Sequence, residues 1–368
     1  MTKKRKIELN RREFLKEAGI LIGVIAIDST ALLAACGTAV ETTKTVTETT
    51  VEKTRIVVDM VGMTVEVPAE VTRVVTPYPI ATNIIYTLQG QDKLVGIDDN
   101  SPKDEWLQRI DPNVANITNV GMPWSVNIET LLSLNPDVVI GVSGDVRTQI
   151  EDMGIPVIGL DLGSGADLEA AISLIGTVIN EEDNAQKLTD YYKEQMGLIT
   201  DRTSEIPVGE RVRVLCIGRD NIYTAAIGGC YQDRMIESGG GINVAQGLTG
   251  GGWFIQVSIE QILAWNPEVI LVPPYIRDGS AEAILNDPQW QDIDAVKNGR
   301  VYTIPDGVAT WDAPEPESFL CPIWIAQLLY PDKFTDIDIR EAIKEFYSEF
   351  YNLSITEDDV DQILRLSS

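Results

Sequence analysis

VNIETLLSLNPDVVI, residues 126–140, returns as VSIEQILAWNPEVIL at residues 257–271. The offset is a constant 131 positions, and Val126/Val257, Ile128/Ile259, Glu129/Glu260, Leu132/Leu263, Asn135/Asn266, Pro136/Pro267 and Val138/Val269 are identical. Both copies read the same way. Asn127 or Ser258 supplies a side-chain oxygen to cap a short helix, and apolar residues at i, i+3 and i+4 give that helix one inward face. The Asn-Pro pair ends it, because proline pushes the residue before it out of the α region. The aliphatic, β-branched run that follows is the right length for a strand buried in a parallel sheet. A helix–turn–strand unit used twice, far apart, predicts two similar α/β lobes. Chance can produce one such match in any α/β domain, but seven identities in fifteen positions without a gap argue against it.

A chain of 368 residues is long enough for two domains with proper cores. Its 44% hydrophobic and 23% charged content are ordinary for a globular protein, whereas its formal charge of −27 is not. Without residues 1–35 the balance is 22 Lys and Arg against 52 Asp and Glu, or −30. A field of that sign repels phosphate backbones and argues against a nucleic-acid partner. Histidine is absent. That removes imidazole as metal ligand, general base or haem ligand, and with it Ser-His-Asp and Cys-His catalysis. Cys36, Cys216, Cys230 and Cys321 show no CxxC spacing, so no thiolate metal site is expected. With Cys36 used otherwise, the remaining three permit at most one disulfide.

The first 35 residues read as an export signal. Lys3, Lys4, Arg5 and Lys6 give a basic start, Asn10-Arg11-Arg12-Glu13-Phe14-Leu15-Lys16 resembles the twin-arginine consensus, and an apolar run ends in Leu33-Ala34-Ala35-Cys36. That tetrapeptide resembles a bacterial lipobox, which implies that Cys36 is lipidated and becomes the new N-terminus. Asp28 inside the apolar run speaks against a membrane-spanning helix. Residues 36–54 are Thr-rich and almost free of large apolar side chains, a composition that predicts a flexible tether to a membrane surface.

From Arg55 the chain reads as ordered. A hairpin turns near Val61-Gly62-Met63, and strands are predicted at 73–76, 94–97, 138–142 and 155–160, alternating with helices, as in a parallel α/β lobe over 55–165. Residues 166–206 carry helical spacing only (Leu168, Ile172, Ile175 and Ile179, then Leu188, Tyr192 and Ile199) and predict connecting helices. A second lobe, 207–368, holds strands at 212–217, 269–272 and 301–304 and ends in helices to which the sequence gives no role.

This layout resembles the ABC-transporter substrate-binding proteins that capture ferric siderophores, cobalamin and haem, the class III periplasmic binding proteins. The resemblance rests on Val71-Thr72-Arg73-Val74-Val75, Gln91-Asp92-Lys93-Leu94-Val95-Gly96, both Ile-Glu helices, Gly239-Gly240-Gly241-Ile242-Asn243-Val244 and the segment from Trp311 to Tyr330-Pro331-Asp332. It implies two Rossmann-like parallel-sheet lobes joined by a single long rigid helix, with the ligand cleft between them. It also implies a monomer that hands its ligand to an ABC permease dimer driven by its ATPase.

Ligands of open parallel sheets sit beyond the carboxyl ends of the strands. The residues just after predicted strands are Tyr78, Asp98, Met122, Trp124, Ser143 and Asp145 in the first lobe and Arg219, Tyr223, Trp253, Tyr275, Trp311 and Asp312 in the second. Of these, Tyr78, Trp124, Ser143, Arg219, Tyr223, Trp253, Tyr275 and Trp311 are the ligand-binding candidates, with Tyr78, Trp124 and Trp311 foremost because each sits beside Pro or Asp in a loop. Aromatic side chains there suit a large flat chelate. The expected ligand is a metal chelate, a corrinoid slightly ahead of a ferric siderophore. No covalent cofactor other than the lipid, no resident metal site and no catalytic residue is expected. The resemblance assigns Glu129 and Glu260, one on each lobe, to docking on arginines of the permease. Two alternatives stand beside this reading: an extracytoplasmic lipoprotein enzyme, against which the missing GxSxG, HExxH and P-loop patterns count, and a chelate-binding sensor or scavenger without a permease.

Overall fold

The computed structural model describes residues 53–162, 165–250 and 252–366. The signal at 1–35, Cys36 and all but the last two residues of the 36–54 tether lie outside the described residues. Strands β1 (Thr54–Val58) and β2 (Thr64–Pro68) form the expected antiparallel hairpin, turning at Gly62 with φ +81°. Asp59 fastens it to the lobe behind. Its buried carboxylate accepts the N–H groups of Val61, Met63 and Gly159 at 3.2, 2.8 and 3.0 Å and the Arg147 guanidinium at 2.5 Å.

The first lobe is a five-stranded parallel sheet of β3 (Val74–Thr76), β4 (Leu94–Ile97), β5 (Thr118–Asn119), β6 (Val138–Ile140) and β7 (Val157–Ile158), in the order β5-β4-β3-β6-β7. The central strands β3 and β6 are buried at every residue, as strands covered on both faces must be. Between the strands run α1 (Pro79–Thr87), α2 (Glu105–Ile110), α3 (Ile128–Ser133) and α4 (Gly144–Glu151). Then come α5 (Gly165–Ile179) and the 22-residue α6 (Glu182–Thr203), about 33 Å long at about 1.5 Å per residue.

The second lobe is a four-stranded parallel sheet of β8 (Arg213–Cys216), β10 (Ile242–Asn243), β12 (Val269–Val272) and β13 (Val301–Thr303), in the order β10-β8-β12-β13. A separate antiparallel pair, β9 (Thr224–Ala226) and β11 (Phe254–Gln256), lies beside it. Its helices are α7 (Tyr231–Ser238), α8 (Ile259–Trp265), α9 (Ala281–Asn286), α10 (Asp294–Lys297), α11 (Cys321–Leu329), α12 (Ile339–Phe350) and α13 (Glu357–Ile363).

The repeat takes the same form twice. Asn127 caps α3 by accepting from Thr130 N–H at 3.0 Å, and Ser258 caps α8 by accepting from Gln261 N–H at 3.3 Å. The aligned Leu131 and Ile262 are the wholly buried residues of the two helices. Asn135 and Asn266 leave the right-handed helix for the left-handed region, at φ +46° and +44°, which asparagine tolerates better than most residues. The acidic residue after each proline then reaches the neighbouring strand: Asp137 accepts from Arg73 N–H at 2.8 Å, and Glu268 from Arg213 N–H at 3.1 Å. Each copy thus fixes the start of the strand beside it, β3 in one lobe and β8 in the other.

The expected strand at 138–142 stops at Ile140, where Gly141 leaves the extended region at φ +88°, and the one at 155–160 shrinks to Val157–Ile158. The C-terminal helices also have a place. Ile343, Phe346, Tyr347 and Phe350 make one buried stripe on α12. Tyr347 meets Trp106 of the first lobe edge-on at 5.3 Å, and Tyr191 of α6 meets Phe346 and Phe350 at 5.7 and 5.5 Å. Arg109 holds Asp359 through two hydrogen bonds of 2.8 and 2.9 Å. One hydrophobic cluster consequently runs from Val57 through α1, α5, β8 and β12 to α13, taking in both lobes. Cys216, Cys230 and Cys321 are buried and unpaired, so no disulfide forms among them.

Candidate ligand-binding cleft

In each sheet the strand order reverses once, between β3 and β6 and between β8 and β12. Chain segments leaving adjacent strands in opposite directions open a crevice there. A cavity of 480 Å³ lies at that place, walled by Tyr78 after β3, Asp161 and Leu162 after β7, Arg219 after β8, Tyr275 after β12 and Thr310, Asp312, Ala313 and Pro314 after β13. Ile80, Gln232, Trp253 and Phe254 complete it.

Tyr78 stands on bare backbone. Gly141, just past β6, has φ +88°, and a Cβ there would lie 2.5 Å from the Tyr78 Cβ and 3.0 Å from its ring. Only glycine permits both that backbone angle and that approach. Burial, followed by the charges of Glu315 and Asp161, pushes the Tyr78 phenol up to about 12, so it enters the cleft as a neutral hydroxyl.

Across the cleft, the Arg219 guanidinium lies 5.9 Å from the Tyr275 ring centre. It makes no ion pair or hydrogen bond with any described residue, so its charge is available to a ligand. Tyr275 and Thr310 both donate to the buried carboxylate of Asp312, each at 2.5 Å, and Gln232 donates to the Asp312 carbonyl at 2.7 Å. Burial pushes the Asp312 carboxyl up, with the Thr310 and Tyr275 hydrogen bonds acting against it. Gln232 keeps its buried Oε1 without a partner among the described residues.

Tyr78, Arg219, Trp253 and Tyr275 therefore line one cavity; the other four candidates do not. Trp311 is wholly buried, packed edge-on against Trp324 at 6.4 Å, and its neighbour Asp312 takes the place in the wall. An indole gains more from core burial than from a wet cleft. Trp124 is 75% exposed in a turn after β5, away from the lining. Ser143 is exposed at the start of α4, with no capping hydrogen bond. Tyr223 is spent on packing against Trp290 at 6.0 Å. The lining residues Asp161 and Leu162 were missed, although the strand-end argument applied to 155–160 points at them. Gln232 sits on α7, a helix the sequence does not announce.

The family model described as "Periplasmic binding protein" matches residues 74–308. The chain belongs to the periplasmic binding protein family. It is a solute-binding protein of an ABC transporter and not an enzyme. The molybdate-binding protein MolA of Haemophilus influenzae is 31% identical over 332 residues, 83% of this chain and 93% of MolA. The MolA structure bound to molybdate superimposes with a TM-score of 0.72 at 30% identity, covering 82% of this chain and 99% of that one. A periplasmic solute-binding protein from Veillonella parvula reaches a TM-score of 0.76 at 29% identity, covering 86% and 98%. YvrC of Bacillus subtilis, an ABC transporter substrate-binding lipoprotein, is 26% identical over 87% of this chain and 99% of its own. These likenesses bear out the two-lobe α/β architecture with parallel sheets.

Proposed function

We propose that the cleft captures a small metal-bearing anion, with molybdate the first ligand to test, and that the protein delivers it as a monomer to a permease dimer with its ATPase. The observation that carries this is Arg219, a guanidinium lining the cavity without an ion pair among the described residues, in a chain of formal charge −27. Such a field turns anions away unless one local cation is left free to receive them. Tyr78 adds a hydroxyl that donates to no described residue, whereas the Tyr275 and Thr310 protons are already given to Asp312; a guanidinium beside a neutral donor suits an oxyanion. The relative MolA takes its name from molybdate.

The reading of a ferric siderophore as cargo rests on a different observation. Tyr78, Trp253, Phe254 and Tyr275 offer aromatic surface, and 480 Å³ lies inside the range of about 300–1,000 Å³ usual for drug-sized ligands. A corrinoid with its side arms fills more than such a cavity, so it moves from first place to last. Glu129 and Glu260, both exposed in the first turns of α3 and α8, are the proposed contacts with permease arginines. Lipid on Cys36 is the proposed anchor, in keeping with the lipoprotein YvrC.

Fluorescence titration with molybdate, tungstate, ferric citrate and cobinamide tests the cargo. Arg219→Ala should weaken molybdate about 10- to 150-fold, from the roughly 1.5–3 kcal/mol of hydrogen bonds to a charged group. Stability should change little, by about 1 kcal/mol or less, since Arg219 holds no ion pair among the described residues and loses only its contact with the Tyr275 ring. Cobinamide binding more tightly than any of the three anions, or molybdate binding unaltered in Arg219→Ala, would overturn the reading.

A further inference from the structure

Behind Tyr275 and Thr310 lies a second chamber of 490 Å³, and those two residues border both spaces. Its far walls bring Asn83 and Asp104 from the first lobe against Asp306 and Glu315 from the second. Glu315 is 7% exposed. Its Oε2 accepts from Asn83 Nδ2 at 3.1 Å, Oε1 has no hydrogen-bond partner among the described residues, and the residue lines the chamber. Asp104 spends one oxygen capping α2, accepting from Leu107 N–H at 2.8 Å. Asp306 is paired with Arg365. Lys103, largely exposed, is the sole lysine or arginine of the lining.

The chamber thus gathers three carboxyls, Asp104, Asp306 and Glu315, against the one lining cation, Lys103. Burial pushes Glu315 up to about 8, opposed by the Asn83 hydrogen bond and aided by the charges of Asp98, Glu317 and Asp104. Burial likewise pushes Asp104 up to about 6, against the backbone hydrogen bonds it receives from Leu107 and Trp106. A buried carboxyl rises in this way when no positive charge stands beside it. A metal ion would need several such groups converging on one point, and among the described residues no three His, Cys, Asp or Glu side chains are so grouped. An ammonium group needs less, since three N–H donors can reach separate acceptors across a roomy wall.

We propose that this chamber is a second subsite that takes the ammonium group of a small organic cation, with Glu315 and Asp104 as counter-ions. It makes no use of Arg219 and stands whichever anion fills the cleft. Bringing a cation to Glu315 favours its ionised form, so binding below about pH 8 releases a proton. Affinity then rises with pH, by up to about tenfold per unit between about pH 6 and about 8. The charged and titratable groups around Glu315 are Asp98, Lys103 and Asp104 from the first lobe, Asp306 and Glu317 from the second, and the Tyr78 and Tyr351 hydroxyls, both held neutral by burial.

The test is calorimetric titration of the whole mature protein with 1,3-diaminopropane, in buffers of differing ionisation enthalpy at about pH 6 and about pH 9. Wild type should bind with proton release at the lower pH. Glu315→Gln and Asp104→Asn should each weaken binding about tenfold or more, and Arg219→Ala should leave it unchanged. Loss of molybdate binding in Arg219→Ala speaks only to the cleft, so the two readings fail separately. The inference is overturned if wild type does not bind the diamine, if Glu315→Gln binds it as tightly, or if Arg219→Ala abolishes binding. If Glu315→Gln fails to fold, Asp104→Asn and the wild-type pH slope decide, and a flat slope overturns it.

Discussion

Replacing Gly141 with alanine should weaken both the fold and the cleft, and a neighbouring glycine provides the control. At Gly141 two costs combine. The backbone sits at φ +88°, and holding an L-residue in left-handed territory costs about 1–2 kcal/mol. The new methyl would also fall 2.5 Å from the Tyr78 Cβ and 3.0 and 3.1 Å from its ring atoms, a crowding that costs about 1–3 kcal/mol when side chains must shift. The sum is about 2–5 kcal/mol. At Gly144 the angle is φ +59° and a Cβ would meet nothing within 4 Å, so only the backbone term of about 1–2 kcal/mol applies. Urea denaturation of the two variants should separate them by about 1–3 kcal/mol. Titration with molybdate should show weaker binding in Gly141→Ala alone, because Tyr78 has been pushed off its place in the wall. Equal destabilisation by the two substitutions, or unchanged affinity in Gly141→Ala, would show that Tyr78 is not held by that contact.

Asp59 predicts an acid response. Burial would raise its carboxyl, but the hydrogen bonds from Arg147, Met63 and Gly159, together with the Arg147 charge, leave it below its ordinary value. The stability it contributes is therefore complete above about pH 4, the unfolded value, and is lost as pH falls through the folded one. Asp59→Ala should cost about 3 kcal/mol at neutral pH, the low end for breaking a buried pair because Arg147 keeps Glu151, and should flatten stability against pH below about 4. Glu129→Ala combined with Glu260→Ala should leave molybdate affinity and melting temperature nearly unchanged while uptake in cells falls; equal loss of ligand binding would place these residues in the cleft or the fold instead. Charges at a rim act chiefly on association.

The repeat made the architecture legible because its signals are local and doubled: a cap, an Asn-Pro stop and an aliphatic run, at one spacing. Strands of two residues, such as β5, β7 and β10, carry no period to read, since their pairing comes from neighbours in the sheet rather than from their own side chains. Helix α4, with Arg147 and Ile150 its only buried residues, likewise lacks an apolar stripe. Within the site, strand ends located Tyr78, Arg219 and Tyr275 because each follows a strand of three or four residues that the sequence announces. Loops withhold the finer detail. Trp311 and Asp312 are adjacent and both buried, yet only Asp312 borders the cleft, and no periodicity in Pro305–Pro316 says which way either turns. Trp124 misled for the same reason, as an aromatic in a polar loop is equally at home in water or against a ligand.

The continuous core from Val57 to α13 makes the gap between the sheets a fixed gauge rather than a jaw. Widening it would peel Tyr347 from Trp106 and Tyr191 from the α12 phenylalanines, and apolar surface would meet water for every ångström gained. The width of the cleft is therefore set by the packing of the core behind it and not by the residues that line it.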